Sequence, residues 1–210
     1  MTMLPATWTR TMAALFAVAA LFAPAVGLTG ANAEGASKAT LMRIVAFGDS
    51  LTAGFELPPA AAFPAQLEKA LRERGHAVRV GNAGVSGDTT SCGLQRLDWA
   101  VPEGTDAVIL ELGANDALRG VDPITARDNL DKILARLGER KIPVLLAGMR
   151  SPQNWGKSYV DIFESIYPDL AKKHDAILYP FFMEGVALQA GLNLSDGLHP
   201  NTKGVARIVE

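Results

Sequence analysis

The chain has 210 residues, 49% of them apolar, with 20 basic and 22 acidic side chains and a formal charge of -2. That is enough apolar chain for one sizeable core. The balance of charges, without a basic run, excludes an electrostatic footprint for nucleic acid. One cysteine, Cys92, excludes an internal disulfide.

The first 33 residues read as a secretory signal. Arg10 is the one charge before Glu34, Ala13 to Leu28 is almost wholly apolar, and Ala31-Asn32-Ala33 has the small-x-small pattern of a cleavage site. A retained membrane anchor is the competing reading, but a span asks for about 20 unbroken apolar residues, and Pro24 interrupts this run. No cysteine lies near the cleavage point to carry a lipid, so no stable membrane anchor is expected after cleavage. Residues 34–40 then form a leader and residues 41–210 a single domain, the two together carrying 19 basic and all 22 acidic side chains.

Within that domain, short runs rich in Val, Ile and Leu alternate with helical patterns. Arg43 to Phe47, Val78 to Val80, Ala107 to Leu112, Val144 to Ala147 and Ile177 to Tyr179 are bounded by Gly, Pro or Asp, as buried parallel strands are. Pro64 to Arg74 reads as a helix stopped by Gly75, and Asp122-Pro123 as a capped start for the next long helix. There Ala126, Leu130, Ile133, Leu134 and Leu137 share one face of a 3.6-residue period. A further helix would carry Tyr159, Ile162, Phe163, Ile166 and Leu170 on one side, with Pro168 expected to break or kink it. This βαβ alternation predicts an α/β fold, a three-layer αβα sandwich whose ligand crevice lies at the carboxyl ends of the strands. Cys92 is expected to be a small buried residue, with no His or second Cys near it.

Four segments rich in Gly, Asn, Asp and Ser follow four of those strands: "GDSLT", "NAGVSGDTT" (Asn82 to Thr90), "GANDALRG" (Gly113 to Gly120) and "SDGLHPN" (Ser195 to Asn201). Each alone is ordinary turn chemistry; all four fall on the edge where a parallel sheet builds its site. Of three histidines, His76 and His174 sit in a turn and a Lys-rich helix end. His199 has Asp196 three positions earlier, a spacing at which a carboxylate on a turn can orient one imidazole nitrogen and leave the other free as a base. A capping residue in a loop is the alternative for His199.

A serine hydroxyl needs such a base to act as a nucleophile. Ser50, at a strand-to-helix turn, would expose its Oγ and aim its own N-H at a developing oxyanion. The Asn115 side chain and a backbone N-H at Gly84 would complete the donors. No GxSxG motif is present, which excludes the α/β-hydrolase elbow.

These blocks, with "FGDSLTAGF", "ELGANDALRG", "IYPDLAKKHD", "YPFFMEGVAL" and "DGLHPN", resemble the SGNH hydrolases, also called the GDSL esterase and lipase family, over roughly Leu41 to Thr202. The closer likeness is to the bacterial thioesterase I, lysophospholipase L1 and arylesterase group. The resemblance implies a flavodoxin-like five-stranded parallel sheet of order 2-1-3-4-5. It also implies a serine esterase with no metal and no cofactor, whose partner is a small-molecule ester or lipid. It assigns Ser50 as nucleophile, Asp196 and His199 as the rest of a triad, and Ser50, Gly84 and Asn115 as the oxyanion hole. "MRSPQNWG" (Met149 to Gly156) matches a loop beside the acyl groove, which makes Pro152 and Trp155 candidates for lining it, a surface aromatic being the alternative for Trp155.

Ala114 departs from the second Gly that the group often carries. The chain also stops at Glu210, about two turns of helix after Asn201, where relatives continue through a full closing helix, so the domain is expected to be short at its C-terminus. Export favours aryl, short acyl or lysophospholipid esters, with thioester cleavage a competence. The rival readings are a carbohydrate deacetylase of the same family and a flavodoxin-like non-enzymatic binding module, although Asp49 would repel a phosphate in that loop.

Overall fold

The structure, a computed structural model, describes residues 41–210; the signal and leader expectations fall outside the described residues. The strands are β1 (Met42–Gly48), β2 (Val78–Gly84), β3 (Ala107–Glu111), β4 (Val144–Ala147) and β5 (Ile177–Tyr179). They form one all-parallel sheet in the order β2-β1-β3-β4-β5. The helices, in chain order, are α1 (Ser50–Ala53), α2 (Phe63–Glu73), α3 (Thr90–Ala100), α4 (Ala114–Leu118), α5 (Pro123–Glu139), α6 (Lys157–His174) and α7 (Thr202–Val209). Parallel neighbours need crossovers, and α2, α3, α5 and α6 supply them. α5 packs on both α3 and α6, and α2 packs on α7, two groups that flank the sheet as the three-layer reading expected.

Sequence pattern explains where the core sits. Val45 to Phe47 of β1 and Val108 to Leu110 of β3 are buried along their whole length, as central parallel strands covered on both faces must be. In α5, Asp122 caps the first turn by accepting the Ile124 N-H at 2.9 Å. All five expected core residues of α5, Ala126 to Leu137, are buried, and each Leu or Ile so placed contributes roughly 1.5–3 kcal/mol.

Three expectations fail locally. α6 runs unbroken through Pro168. Pro168 lies on the exposed side, so the carbonyl that loses its N-H partner can be met by solvent. The buried face of α6 is Val160, Phe163, Ile166, Tyr167, Leu170 and Ala171, while Ile162 is exposed. Cys92 is likewise exposed, because the first turn of α3 points it away from the sheet.

The register places the site. Gly48 pairs with both Gly84 and Glu111, Glu111 with Ala147, and Ala147 with Tyr179. The carboxyl ends of all five strands therefore lie in one row, and the loops that follow them open at one edge.

Candidate active site

At the end of β1 the chain turns through Asp49 into α1. Asp49 Oδ1 accepts the Leu51 N-H at 3.0 Å, which caps the short helix and makes Ser50 its first residue. A Cβ on Gly48 would stand 2.2 Å from Thr52 Oγ1 and 2.5 Å from Glu111 Oε2, so the turn closes only around glycine.

His199 reaches Ser50 from the far end of the chain. Its Nε2 lies 2.9 Å from Ser50 Oγ and its Nδ1 2.6 Å from Asp196 Oδ2. The other Asp196 oxygen accepts the N-H groups of Leu198 (2.9 Å) and His199 (3.0 Å), while Gly197, at φ +70°, makes the tight turn between them. The bond to His199 leads these contacts in holding the Asp196 carboxyl down at about 2. An ionised Asp196 fixes the proton on Nδ1 and leaves Nε2 to accept from Ser50. The His199 carbonyl accepts the Leu194 N-H at 2.8 Å, and the Phe55 ring lies 4.4 Å from the imidazole, centroid to centroid.

Asn115, at the start of α4, also faces this corner. Its Nδ2 donates to Asp88 O at 3.0 Å and to Asp49 Oδ2 at 3.2 Å, so one amide ties the nucleophile turn to the loop after β2. Burial lifts Asp49 to about 6 against the lowering effect of its donors. Glu111, fully buried beside it, is pushed well above the ordinary carboxylate range by burial first and by Asp49 second.

Gly84 does not fit the role of oxyanion donor. Its N-H is bound to Asn82 Oδ1 at 3.0 Å, and its Cα faces the backbone of α1, where a Cβ would be 2.3 Å from Ala53 N and 2.8 Å from Asp49 O. Gly84 is a site of close backbone approach. Gly87, three residues on and at φ +86°, precedes the Asp88 carbonyl that Asn115 binds, and its N-H has no partner among the described residues. The Ser50 N-H is unpartnered in the same sense.

Arg96 is a residue that loop motifs could not reveal. Buried on α3, its guanidinium pairs with Asp88, donates to Ala83 O (2.8 Å) and Gly48 O (2.7 Å), and lies 4.3 Å from the Phe47 ring centroid. It holds the ends of β1 and β2 and the Asp88 loop together.

Beside Ser50 opens a cavity of about 370 Å³, lined by Ser50, Asn115 and His199 on one side and by apolar groups including Leu51, Met149, Pro152, Phe181, Met183 and Leu188 on the other. Pro152 thus lines the groove. Trp155 does not: it donates from Nε1 to Ala117 O at 2.7 Å and lies against Gly120, 43% exposed, the surface role that was its alternative. A second groove, about 490 Å³ between α2 and α7, touches none of these residues. His174 binds Asp131 at 2.6 Å, joining α6 to α5 away from the site. Among the described residues no group of three or more His, Cys, Asp or Glu is arranged for a metal ion.

Residues 46–207 match the model of the GDSL-like Lipase/Acylhydrolase family. The chain is 40% identical to an arylesterase of Vibrio mimicus, over 80% of this chain and 84% of that one. It is also 40% identical to the thioesterase 1/protease 1/lysophospholipase L1 of Escherichia coli K12, over 75% of each. Among solved structures it is similar to AlinE4, an SGNH-hydrolase family esterase, with a TM-score of 0.72 and 50% identity over 80% of this chain and 90% of that one.

Proposed function

This chain belongs to the GDSL-like Lipase/Acylhydrolase family, and we propose that it hydrolyses carboxylic esters through an acyl-enzyme formed on Ser50. The observation that carries this reading is the relay from Asp196 through His199 to Ser50, at 2.6 and 2.9 Å, opening onto an apolar groove. As Ser50 Oγ attacks the acyl carbonyl, His199 Nε2 takes its proton and Asp196 stabilises the imidazolium. The oxyanion is met by the N-H of Ser50, by the N-H of Gly87, which takes the place first given to Gly84, and by the Asn115 amide, which exchanges one of its two bonds, to Asp88 O or Asp49 Oδ2, for the substrate oxygen. His199 then protonates the departing alcohol or thiol, and water, activated by the same base, releases the acid.

The groove suits an apolar acyl or aryl group, which supports aryl, short acyl and lysophospholipid esters as substrates and thioesters as a further competence. Its apolar lining counts against a carbohydrate deacetylase. A phosphate-binding module is disfavoured because Asp49 occupies the turn where a phosphate would sit and His199 and Asp196 would have no task. The signal-like pattern of residues 1–33 supports export, which fractionation of the producing cells would check.

A fluorophosphonate should label the wild type and leave Ser50→Ala unlabelled, with aryl acetate turnover lowered by roughly a thousandfold or more in that variant. Equal labelling of the two proteins would sink the assignment of Ser50.

A further inference from the structure

Glu111 is the last residue of β3, opposite Gly48 in the sheet register, and is fully buried. Its Oε2 accepts the Thr52 hydroxyl at 2.7 Å and the Asp49 N-H at 3.3 Å. Its Oε1 is buried and meets no hydrogen-bond partner among the described residues. The groups around it do not offer a counter-charge. Asp49 approaches from the turn after β1. Tyr167 comes from α6, with its hydroxyl donated to Leu112 O at 3.0 Å, and Asp116, from α4, is held by the Thr90 N-H and hydroxyl. His199 stands beyond Asp49 and is engaged by Ser50 and Asp196. No Lys or Arg bonds Glu111 among the described residues.

An ionised carboxylate buried with one bare oxygen and no cation is strongly disfavoured. A proton on that oxygen removes the charge, and Asp49, whose own N-H donates to Oε2, is the neighbouring carboxyl able to share it. We propose that Glu111 is a positioning residue of the nucleophile turn, a neutral carboxylic acid that shares one proton with Asp49 and holds it as the common acceptor for Leu51 and Asn115. This role rests on the Ser50 chemistry proposed above. Burial raises both carboxyls, and the charge of Asp49 raises Glu111 further, so the proton is held first by Glu111. Through Asp49, Glu111 sets the angle at which Asn115 presents its amide.

The test compares Glu111→Ala with Glu111→Gln, whose amide can donate and accept where the neutral acid does. Glu111→Ala should lose about tenfold or more in kcat on an aryl acetate with KM changed by less than about twofold, because an oxyanion donor is misaligned. Glu111→Gln should restore kcat to within about threefold of wild type, since the group at position 111 is uncharged in both. Infrared difference spectra at neutral pH should show a carboxylic-acid C=O band in the wild type that is missing from Glu111→Gln. Absence of that band overturns the proposal. So does a folded Glu111→Gln as impaired as Glu111→Ala, or a Glu111→Ala with wild-type kcat. If Glu111→Ala fails to fold, the band and the glutamine variant decide. The band is read without turnover, so a failure of the Ser50 assignment, seen as equal fluorophosphonate labelling, is a separate result.

Discussion

Replacing Arg96 with methionine keeps the aliphatic stem and removes the guanidinium. Four contacts go with it: the ion pair to Asp88, the bonds to Ala83 O and Gly48 O, and the stacking over Phe47. Both side chains of the pair are nearly out of water, 7% and 12% exposed, so Asp88 is left as a buried charge without its partner. Breaking a buried pair in this way costs about 3–5 kcal/mol. For a domain of this size that corresponds to a fall in Tm of about 6–20 °C. The lost bond to Gly48 O and the loosened Asp88 loop should also lower kcat at temperatures where the variant stays folded. Urea unfolding of Arg96→Met, Asp88→Asn and the double variant measures the coupling. The double variant, with no uncompensated charge, should recover about 1 kcal/mol or more relative to the sum of the single losses. A loss below about 1 kcal/mol in Arg96→Met, or strict additivity in the cycle, would refute the view that this cation holds the loops together.

Three further outcomes follow from the site. Asn115→Ala should lower kcat on aryl esters by about a hundredfold or more with a smaller change in KM, since the amide acts on the developing oxyanion; a pure KM effect would reassign Asn115 to substrate binding. Gly84→Ala should lose about 1–3 kcal/mol in urea unfolding because its Cβ meets the Ala53 and Asp49 backbone, and a fully stable variant with kcat reduced a hundredfold would return Gly84 to the oxyanion hole. For Asp196, whose folded value of about 2 lies below its ordinary 3.8, the favourable contribution to stability is complete above pH 3.8 and is lost as pH falls through about 2. Asp196→Asn should therefore flatten the urea midpoint over that acid window, and an unchanged slope would contradict the bond to His199 as the cause.

Much of this molecule is written locally. The strands and α5 follow from apolar periodicity and from Asp122-Pro123, because burial of one face and capping of a first turn depend on residues within a few positions of each other. Ser50, Asp196, His199 and Asn115 could be named from loop composition at strand ends, because a parallel sheet brings those ends into one row whatever its other details. Pro168 and Ile162 were misjudged because the spacing of apolar residues does not say which side of α6 meets the sheet.

What only the tertiary structure decided is that the Gly84 N-H is taken by Asn82 while the Gly87 N-H is free among the described residues, that Trp155 turns to Ala117 instead of the groove, and that Arg96 and Glu111 pack against the turn that carries Ser50. Arg96 binds a carbonyl 48 positions away and Glu111 a hydroxyl 59 positions away. Their significance comes from desolvation and from the partners that surround them, properties created when distant segments close over one another and carried by no local pattern.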